Sequence, residues 1–529
     1  MAKQQAGNLD RRSFVKGILA AGAAVVGTAA AGGALAACSP DEPARHWDLE
    51  ADVVIIGTGF AGLVTAITAA DANSTVIIVE KAPEQDAGGN SRVCAQAVWT
   101  PREIDATIAY FKELAGDYHL TDMPEAVIEA YIREASENVN WLTERIGLEM
   151  VTVDSTEYPH APSAPVAKSS CMGIPKEGLG NEIVWRKVME AVSNSSGIDI
   201  LYETPFNDLV FNGAGDCIGI LAGDKAIRAH QGVVICAGGF ENNMAMSANY
   251  LRYPALTWGT PYNTGDAHKV CLRYDIDFWH MNSATQGTRI GLKLPDLDPL
   301  YGNVGLSFEF AANTAFFWVD KYGQRFMDEK REYQHGYGRN AIFYNDSTKM
   351  EWPRLPMWQV FDANGIKELA SYARCGWLEL VAGVTVSEGL VDEIAKGVVY
   401  TSDSIAKLAE WAGFDPEVFT ASFTRYNQSA EAGLDTDFGR PAAGMAPLQA
   451  PYYIAEVYPV MVNTNGGARR NEKAQILKVD GTPVGHLYSA GEFGSVWAWY
   501  YQGAGNVSEC FAFGRIAGRE VSSQERSAE

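Results

Sequence analysis

One glycine-rich stretch near the N-terminal end has the spacing of residues that hold phosphate groups. Val53-Val54-Ile55-Ile56 is a short apolar run, typical of a buried parallel strand, and Gly57-Thr58-Gly59-Phe60-Ala61-Gly62 follows it directly. Glycines at this spacing permit a tight turn and let the backbone approach a pyrophosphate at the N-terminus of the next helix. The stretch therefore indicates a nucleotide site.

The residues that follow complete a β-α-β unit around that turn. A helical pattern runs through Ala66, Ile67 and Ala70, and a second strand from Thr75 to Val79 ends on Glu80. An acid at this place can accept hydrogen bonds from ribose hydroxyls. The glycine motif alone is a weak signal, but strand, helix, second strand and terminal acid together predict a dinucleotide-binding domain.

Two later segments repeat the pattern of a buried strand that ends in glycines. The first is residues 232–240, and the second is residues 486–492 with the glycines at 503–505. Because residues 256–444 lack such motifs, the sequence predicts an α/β fold: a Rossmann-like domain made of two chain segments, with an inserted α+β cap domain that closes over the cofactor. The predicted boundaries are a signal peptide at 1–37, a linker at 38–48, the first cofactor-binding segment at 49–255, the cap at 256–444 and the second cofactor-binding segment at 445–529.

The N-terminal segment reads as an export signal. Arg11-Arg12-Ser13-Phe14 is followed by an uncharged stretch of mostly Ala, Gly and Val from Gly17 to Ala37, which resembles a twin-arginine signal. Leu35-Ala36-Ala37-Cys38 resembles a lipobox, so we expect lipidation of Cys38 and attachment to the outer face of the cell membrane. A transmembrane helix and ordinary cleavage after Ala34-Leu35-Ala36 are the alternatives.

Charge and cysteine spacing exclude other classes of function. A formal net charge of -23 argues against a nucleic-acid partner, because phosphate backbones require clustered Lys and Arg. Among the seven cysteines other than Cys38, no two lie within three residues of each other, so the chain has no C-x-x-C redox pair. A cluster assembled from distant cysteines stays open at this stage.

Eight short motifs, in order along the chain, resemble the fumarate reductase and flavocytochrome c flavoprotein family, which includes ketosteroid dehydrogenases. The resemblance implies FAD as the cofactor and an FAD-binding Rossmann-like domain. It also implies that the helix after Gly505 directs its N-terminus at the isoalloxazine. The matching stretches are 57–62, Gly88-Gly89-Asn90-Ser91, Ala237-Gly238-Gly239-Phe240, Thr264-Gly265-Asp266, Gly323-Gln324-Arg325-Phe326, Asn463-Thr464-Asn465-Gly466-Gly467, Ala490-Gly491-Glu492 and Phe513-Gly514-Arg515. The implied FAD contacts are Gly57, Gly59, Phe60, Ala61, Gly62, Glu80, Lys81, Gly88, Gly89, Asn90, Ser91, Ala237, Gly238, Asp266, Glu492 and Asn506.

The sequence departs from the fumarate-reducing members at three cationic positions. The family's substrate-binding His, substrate-binding Arg and catalytic Arg correspond here to Asn463, Tyr501 and Tyr333. A buried carboxylate without a cationic partner costs several kcal/mol, so a dicarboxylate substrate is disfavoured and a neutral substrate with a carbonyl is expected.

The replacements resemble the ketosteroid dehydrogenase branch. Tyr501-Gln502-Gly503-Ala504-Gly505 is similar to that branch's Tyr-x-Gly-x-Gly, in which the Tyr and a glycine N–H polarise a steroid carbonyl. Trp497, Trp499 and Tyr500 precede it, and offer either a surface for a flat apolar ligand or core packing.

These features predict reduction of a C=C bond conjugated to a carbonyl in a neutral, steroid-like substrate. Tyr501, Asn463 and the Gly505 N–H would stabilise the developing enolate, and Tyr333, helped by Arg331 or His335, would supply the proton. The resemblance further implies a membrane-anchored cytochrome as electron donor and leaves a [4Fe-4S] cluster open. The alternatives are a 3-ketosteroid dehydrogenase, a flavin electron-transfer lipoprotein and, more remotely, an organic acid reductase.

Overall fold

The apolar runs and glycine turns seen in the sequence form the strands and turns of two large β-sheets. The computed structural model describes residues 46–114, 123–159, 161–163, 170–251, 255–285, 290–310, 314–329, 340–369, 375–498 and 500–527. Residues Trp47–Glu529 pack into one unit. The signal peptide predicted at 1–37 and the lipidation predicted at Cys38 lie outside the described residues.

The strands and helices are numbered in chain order. The strands are β1 Leu49–Ile56, β2 Val76–Val79, β3 Val98–Pro101, β4 Met150–Asp154, β5 Ser170–Pro175, β6 Ile198–Leu201, β7 Phe206–Phe211, β8 Cys217–Ala222, β9 Lys225–Ile235, β10 Leu256–Thr257, β11 Phe278–Trp279, β12 Ala284–Thr285, β13 Ile290–Leu292, β14 Leu306–Ser307, β15 Phe316–Val319, β16 Met357–Asp362, β17 Val399–Ser402, β18 Tyr452–Met461, β19 Asn463–Thr464, β20 Gly467–Ala468, β21 Gln475–Leu477 and β22 Pro483–Ser489. The α-helices are α1 Phe60–Asp71, α2 Gly89–Val93, α3 Ile104–Leu114, α4 Glu125–Ala135, α5 Asn138–Glu144, α6 Ile183–Ser193, α7 Met244–Tyr250, α8 Asp266–Cys271, α9 Ala363–Leu369, α10 Trp377–Leu380, α11 Val391–Ala395, α12 Ile405–Ala412, α13 Pro416–Ala432 and α14 Gly505–Ser522.

The first sheet joins residues from both ends of the described chain. Its order is β21-β22-β9-β1-β2-β6, and β7 and β8 extend it beside β9. β1 pairs in parallel with β2 and with β9, and β22 pairs in parallel with β9. Val54 and Ile56 are almost fully buried, as expected of a parallel strand covered on both faces. The α/β prediction is confirmed.

The second sheet is built from residues between Leu256 and Met461. Its order is β14-β13-β18-β16-β15, with β10 and β17 also paired to β18. β16 and β17 both run antiparallel to the long strand β18, which lies between the two. The domain boundaries at 255/256 and 444/445 stay a prediction.

Helix α14 closes over the first sheet by packing directly on α1. A Cβ atom at Gly518 would lie 2.6 Å from the Cβ of Thr68, and one at Gly514 would lie 3.0 Å from the Cβ of Val64. These two glycines, one helical turn apart, allow the helix backbones to approach closely. Within the described residues, no helix is both long and apolar enough to cross a bilayer.

Candidate active site

The turn between β1 and α1 has room for backbone only. Gly57 has a φ of +103°, and a Cβ atom there would lie 2.4 Å from the carbonyl oxygen of Cys236. A Cβ at Gly62 would lie 2.0 Å from the carbonyl oxygen of Gly57. Gly59 is the N-cap of α1 and caps it without a side-chain hydrogen bond. The positive end of α1 can therefore receive a pyrophosphate, as the motif predicts.

Glu80 is held rigidly at the end of β2. Its Oε2 accepts hydrogen bonds from the backbone N–H of Thr58 (3.1 Å) and from the Thr58 hydroxyl (2.6 Å). Its Oε1 accepts from the N–H of Ala82 at 2.9 Å. The carboxylate thus fastens the glycine turn to the end of the neighbouring strand, at the position expected of the ribose acceptor.

Lys81 and Asp266 form an ion pair beside Glu80. The Lys81 ammonium donates to Asp266 Oδ2 at 2.5 Å and to the Thr264 hydroxyl at 2.8 Å. Burial alone would raise the pKa of Asp266, but the charge of Lys81 together with the hydrogen bonds from Lys81 and Thr264 outweighs burial, and the pKa lies below its ordinary value. Residues 264–266, predicted from the Thr-Gly-Asp motif, therefore join the first β-α-β unit at this edge.

These groups surround a cavity that fits FAD. It encloses about 830 Å³ of space between protein atoms, part of it open to solvent, and combines a helix N-terminus, glycine turns and a ribose-side carboxylate. The predicted FAD residues that line it are Gly57, Gly59, Ala61, Glu80, Lys81, Gly89, Asn90, Ser91, Ala237, Gly238, Asp266 and Glu492. Their individual contacts with FAD stay predictions.

The other four predicted FAD residues do not line this cavity. Phe60 donates its backbone N–H to Ser91 Oγ (2.9 Å), and Gly88 donates its N–H to the Thr58 hydroxyl (3.0 Å), so both support the turn from behind. Gly62 lets the start of α1 pack closely against the Gly57 carbonyl oxygen. Asn506 lies instead in a separate polar cluster on the first turn of α14.

Sequence reasoning missed several cavity residues. Asn263 and Tyr262 directly precede the Thr-Gly-Asp motif, and Cys510 lies one turn into α14. Tyr262 donates to Asp86 Oδ2 at 2.8 Å. Asn263 donates its amide to Glu241 Oε1 at 2.7 Å, and Glu241 directly follows the predicted Gly-Gly-Phe stretch. For Tyr262, Asn263 and Glu241, the signal available in the sequence was their position next to a predicted motif.

Two carboxyl groups, Glu241 and Glu492, meet at the edge of the cavity. Asn90 Nδ2 donates to Glu241 Oε1 at 2.7 Å and to Glu492 Oε2 at 3.2 Å. Burial and the adjacent Glu241 raise the pKa of Glu492 well above its ordinary value, and burial also raises the pKa of Glu241.

A cluster of neutral polar side chains joins two of the four predicted catalytic residues, Asn463 and Tyr501. Asn506 Nδ2 donates to Asn463 Oδ1 at 2.8 Å and to the Thr285 hydroxyl at 3.0 Å, and the Asn506 backbone N–H donates to the Tyr501 phenol oxygen at 3.3 Å. Asn463 in turn donates to Asn465 Oδ1 at 3.0 Å. We call these five residues, Thr285, Asn463, Asn465, Tyr501 and Asn506, the amide cluster. None of them carries a charge.

Tyr501 is held by the segment that follows it. Gln502 Oε1 accepts hydrogen bonds from the Tyr110 hydroxyl and the Glu157 N–H, both at 2.9 Å, and Glu157 Oε2 accepts the Gly503 N–H at 2.5 Å. Burial raises the pKa of Tyr501, and the charge of Glu157 acts in the same direction. The phenol is therefore neutral at physiological pH and suits a hydrogen bond to a carbonyl.

Gly505 differs from its predicted role. Its backbone N–H already donates to the carbonyl oxygen of Gln502 at 2.9 Å, so the turn, rather than a substrate, uses this donor. A Cβ atom at Gly505 would lie 2.4 Å from the Trp497 ring. Gly505 thus explains how α14 can begin so close to an aromatic side chain.

Trp497 is a core residue. It is 1% exposed, and its ring centroid lies 4.7 Å from that of Phe111, 5.7 Å from that of Trp99 and 5.5 Å from that of Tyr501. Tyr500 packs on Tyr158 at 5.4 Å. Of the two interpretations left open by the sequence, core packing is correct for Trp497, which supports the Tyr501 ring from behind.

The remaining catalytic predictions lie outside the described residues. These are Tyr333 with its proposed helpers Arg331 and His335, and the aromatic residue Trp499. Across the described ranges, no three His, Cys, Asp or Glu side chains converge as a metal site, and none of the seven described cysteines forms a disulfide. The [4Fe-4S] cluster left open by the sequence thus gains no support here.

Comparison with known proteins agrees with this site. Residues 52–507 match the protein family described as FAD binding domain. The chain is 27% identical to the digoxin reductase of Eggerthella lenta, over 98% of this chain and 97% of that protein. It is 25% identical to the 3-oxosteroid 1-dehydrogenase of Mycolicibacterium smegmatis, over 89% of this chain and 97% of that protein.

A solved structure shares the fold. The 3-ketosteroid Δ1-dehydrogenase from Sterolibacterium denitrificans superposes with a TM-score of 0.75 at 21% identity, over 90% of this chain and 99% of that one. The predictions of an FAD-dependent oxidoreductase acting on CH–CH groups, and of a flavoprotein fold related to the ketosteroid dehydrogenases, are confirmed. Since the family match covers most of its length, the chain belongs to the FAD binding domain family.

Proposed function

We propose that this chain is an exported reductase that saturates a C=C bond conjugated to a carbonyl in a neutral, steroid-like substrate. The unsaturated lactone of cardiac glycosides such as digoxin is the leading candidate. The observation that carries the proposal is the amide cluster, in which neutral donors and acceptors stand where a dicarboxylate would need cations. The nearly full-length similarity to a digoxin reductase supports the choice of substrate.

The cation that connects to the amide cluster through Glu509 and Ser495 is already paired with Glu509. Arg470 is fully buried, bonds Glu509, and donates to the carbonyl oxygen of Phe493 at 3.3 Å. Glu509 also accepts from Ser495 Oγ at 2.5 Å, and Ser495 donates to Asn506 Oδ1 at 3.2 Å. The ion pair therefore orients Asn506 through Ser495 and has no charge to spare for a carboxylate substrate.

The cofactor and the chain's own residues would have separate roles in the reaction. FAD, when bound and reduced, supplies a hydride. The neutral phenol of Tyr501 would hold the substrate carbonyl and stabilise the negative charge that develops on its oxygen. The amide of Asn463, which donates to the Thr464 carbonyl oxygen and to Asn465 Oδ1, would exchange one of these bonds for a bond to the substrate carbonyl. Tyr333 would donate or relay the proton to the α-carbon.

Electron supply and location are also part of the proposal. The twin-arginine-like segment and the lipobox ending at Cys38 would place the enzyme at the outer face of the cell membrane. Nicotinamides are scarce there, and the sequence has no second G-x-G-x-x-G nucleotide unit, so a membrane-anchored cytochrome is the proposed donor. A [4Fe-4S] cluster is not needed for this scheme.

Single-turnover kinetics test the proposed substrate class. The mature protein is purified anaerobically, its flavin is reduced chemically, and recovery of flavin absorbance is followed after addition of digoxin, fumarate or a 3-ketosteroid. Rapid recovery with digoxin but not with fumarate is expected. Recovery with fumarate would show that the three replaced positions have been misinterpreted.

The reverse reaction, dehydrogenation of a 3-ketosteroid, is the second candidate. It is favoured by the similarity to a 3-oxosteroid 1-dehydrogenase and by Tyr501, which could polarise a steroid carbonyl in either direction. Reduction of the oxidised flavin by a saturated 3-ketosteroid would support it. Substituting Tyr333→Phe separates both enzymes from a flavin electron carrier, because only an enzyme should lose turnover while it keeps FAD.

A further inference from the structure

The carboxyl groups of Glu241 and Glu492 converge because of the sheet topology. Glu241 comes after the glycine turn that ends β9, and Glu492 comes after the turn that ends β22. These two strands are parallel neighbours, so their carboxyl ends lie at the same edge of the sheet. Glu492 lines the FAD cavity, whereas Glu241 is fully buried behind it.

Both carboxyl groups draw on the same neutral donors. Besides Asn90, the Asn263 amide donates to Glu241 Oε1 at 2.7 Å and to Glu492 Oε2 at 3.5 Å. Thr464 donates its N–H to Glu492 Oε1 at 3.2 Å and its hydroxyl to Glu241 Oε2 at 3.4 Å. Three residues that bond both carboxyl groups in this way, Asn90, Asn263 and Thr464, fix the two groups against each other.

Gly239 leaves the space in which the pair meets. A Cβ atom there would lie 2.2 Å from Glu492 Oε1 and 2.7 Å from Glu241 Oε2. The carboxyl oxygens therefore occupy the volume that a side chain at position 239 would fill.

The titratable groups around the pair do not neutralise it. Lys81, across the cavity, is paired with Asp266 of α8. Arg470 is paired with Glu509 of α14. The Cys510 thiol of α14, which lies close to Glu492, is neutral because burial raises its pKa. Arg92 of α2 is paired with Glu182.

Two buried carboxylates without a cationic partner cannot both be ionised cheaply, because burial and mutual repulsion each disfavour the second charge. We propose that Glu241 and Glu492 share a single proton, and that Glu241 is a positioning residue which, through this proton, keeps Glu492 compatible with the anionic pyrophosphate of FAD. Loss of the proton to solvent would leave two negative charges at the cavity wall and weaken FAD binding.

The variant Glu241→Gln tests the shared proton, because a glutamine side chain cannot share a carboxylic acid proton with Glu492. At neutral pH the native pair carries one negative charge, and in the variant Glu492 alone carries one, hydrogen-bonded to a neutral amide. The two proteins should therefore bind FAD similarly at neutral pH. On titration to alkaline pH the native protein should lose FAD affinity by up to about tenfold per pH unit, the limit for one linked proton, whereas the variant should not.

The experiment measures the FAD dissociation constant by flavin fluorescence across pH for the native protein, for Glu241→Gln and for Glu149→Gln, a surface-charge control whose carboxylate pairs with exposed Lys176. Infrared spectra of the same proteins should show the carbonyl band of a protonated carboxylic acid in the native protein and the control, but not in Glu241→Gln. Parallel pH dependence in all three, or an unchanged band in Glu241→Gln, would overturn the proposal.

A second variant keeps the proposal testable if Glu241→Gln does not fold. Glu492→Gln leaves Glu241 as the sole carboxylate of the pair, so the same loss of the band and of the alkaline response is expected. Proton uptake on FAD binding at alkaline pH, measured in weakly buffered solution, should be seen in the native protein and be absent from both variants. Uptake in all three would also contradict the shared proton. No readout uses a substrate, so failure of the proposed reductase function would leave this test unaffected.

Discussion

At the scale of single residues, the neutrality of the amide cluster is the property on which the proposed substrate class depends. Asn463 and Tyr501 could be singled out from the sequence, because both replace cationic residues of the family motifs, and their catalytic roles stay predictions. Their linkage through Asn506 could not, since it depends on where α14 begins. The sequence likewise did not predict that the Gly505 N–H donates to the Gln502 carbonyl oxygen. The internal hydrogen bonds of a turn depend on its conformation and not on its glycine spacing.

Removing the Asn463 amide should weaken catalysis without releasing FAD. Asn463→Ala leaves the Asn506 amide without its 2.8 Å acceptor and takes away a proposed carbonyl donor. Losses of about 1–3 kcal/mol per buried unsatisfied group correspond to about a 5- to 150-fold fall in kcat/KM. Steady-state kinetics with digoxin, together with the flavin content, measure this. Asn207→Ala, at an exposed amide of strand β7, is the control; equal kcat/KM in both variants would remove Asn463 from the mechanism.

A buried histidine should make the fold sensitive to acid. Burial lowers the pKa of His268 from 6.5 to about 4, and its Nε2 lies 2.8 Å from the Gly466 carbonyl oxygen. The unfolded chain then binds the extra proton first as pH falls, so stability should drop between about pH 6.5 and pH 4, by about 3 kcal/mol in all. Urea unfolding across this range should show a smaller drop for His268→Gln than for the native protein.

The matched control for that measurement is His230→Gln, at a partly exposed histidine whose Nε2 lies 3.0 Å from Glu50. It should keep the native acid response. If His268→Gln loses stability with acid as steeply as the control does, His268 is not the group responsible.

At the scale of elements, the β1–α1–β2 unit was predictable because its signals are local. An apolar run, three glycines and a terminal acid lie within about 30 residues, and each contact they imply is between neighbours in sequence. The second sheet was not predictable in the same way. Several of its strands have only two to four residues, and β10 pairs with β18 across more than two hundred residues. Pairing over such separations depends on the whole chain.

The third glycine of the turn should be intolerant of any side chain. In Gly62→Ala the new methyl group would meet the Gly57 carbonyl oxygen at 2.0 Å, and backbone cannot move aside as a flexible side chain can. We expect the turn to open, FAD to be lost on purification, and stability to fall by about 1–3 kcal/mol. Absorbance at the flavin band and thermal melting measure both. Gly213→Ala, which meets nothing within 4 Å, should retain native FAD content; a Gly62→Ala protein that does so as well would contradict the close-contact argument.

At the scale of the whole molecule, the cavity needs both ends of the described chain. β1 and α1 supply the phosphate turn, the segment after β9 supplies Ala237 and Gly238, and the segment after β22 supplies Glu492. The sequence predicted this meeting because buried strands ending in glycine occur near both ends. It did not predict that Glu241 and Glu492 would become a pair, because neither residue has an unusual neighbour in sequence and only the parallel register of β9 and β22 brings them together.

The central claim is that this flavoprotein reduces a conjugated C=C bond in a neutral substrate. Product analysis tests it most directly: the FAD-loaded protein is incubated anaerobically with digoxin and an artificial low-potential electron donor, and the products are identified by mass spectrometry. A product that has gained two hydrogens at the lactone, formed by the native protein and lost in Tyr501→Phe with FAD retained, is the expected result. Unchanged digoxin under conditions in which fumarate is converted to succinate would contradict the account.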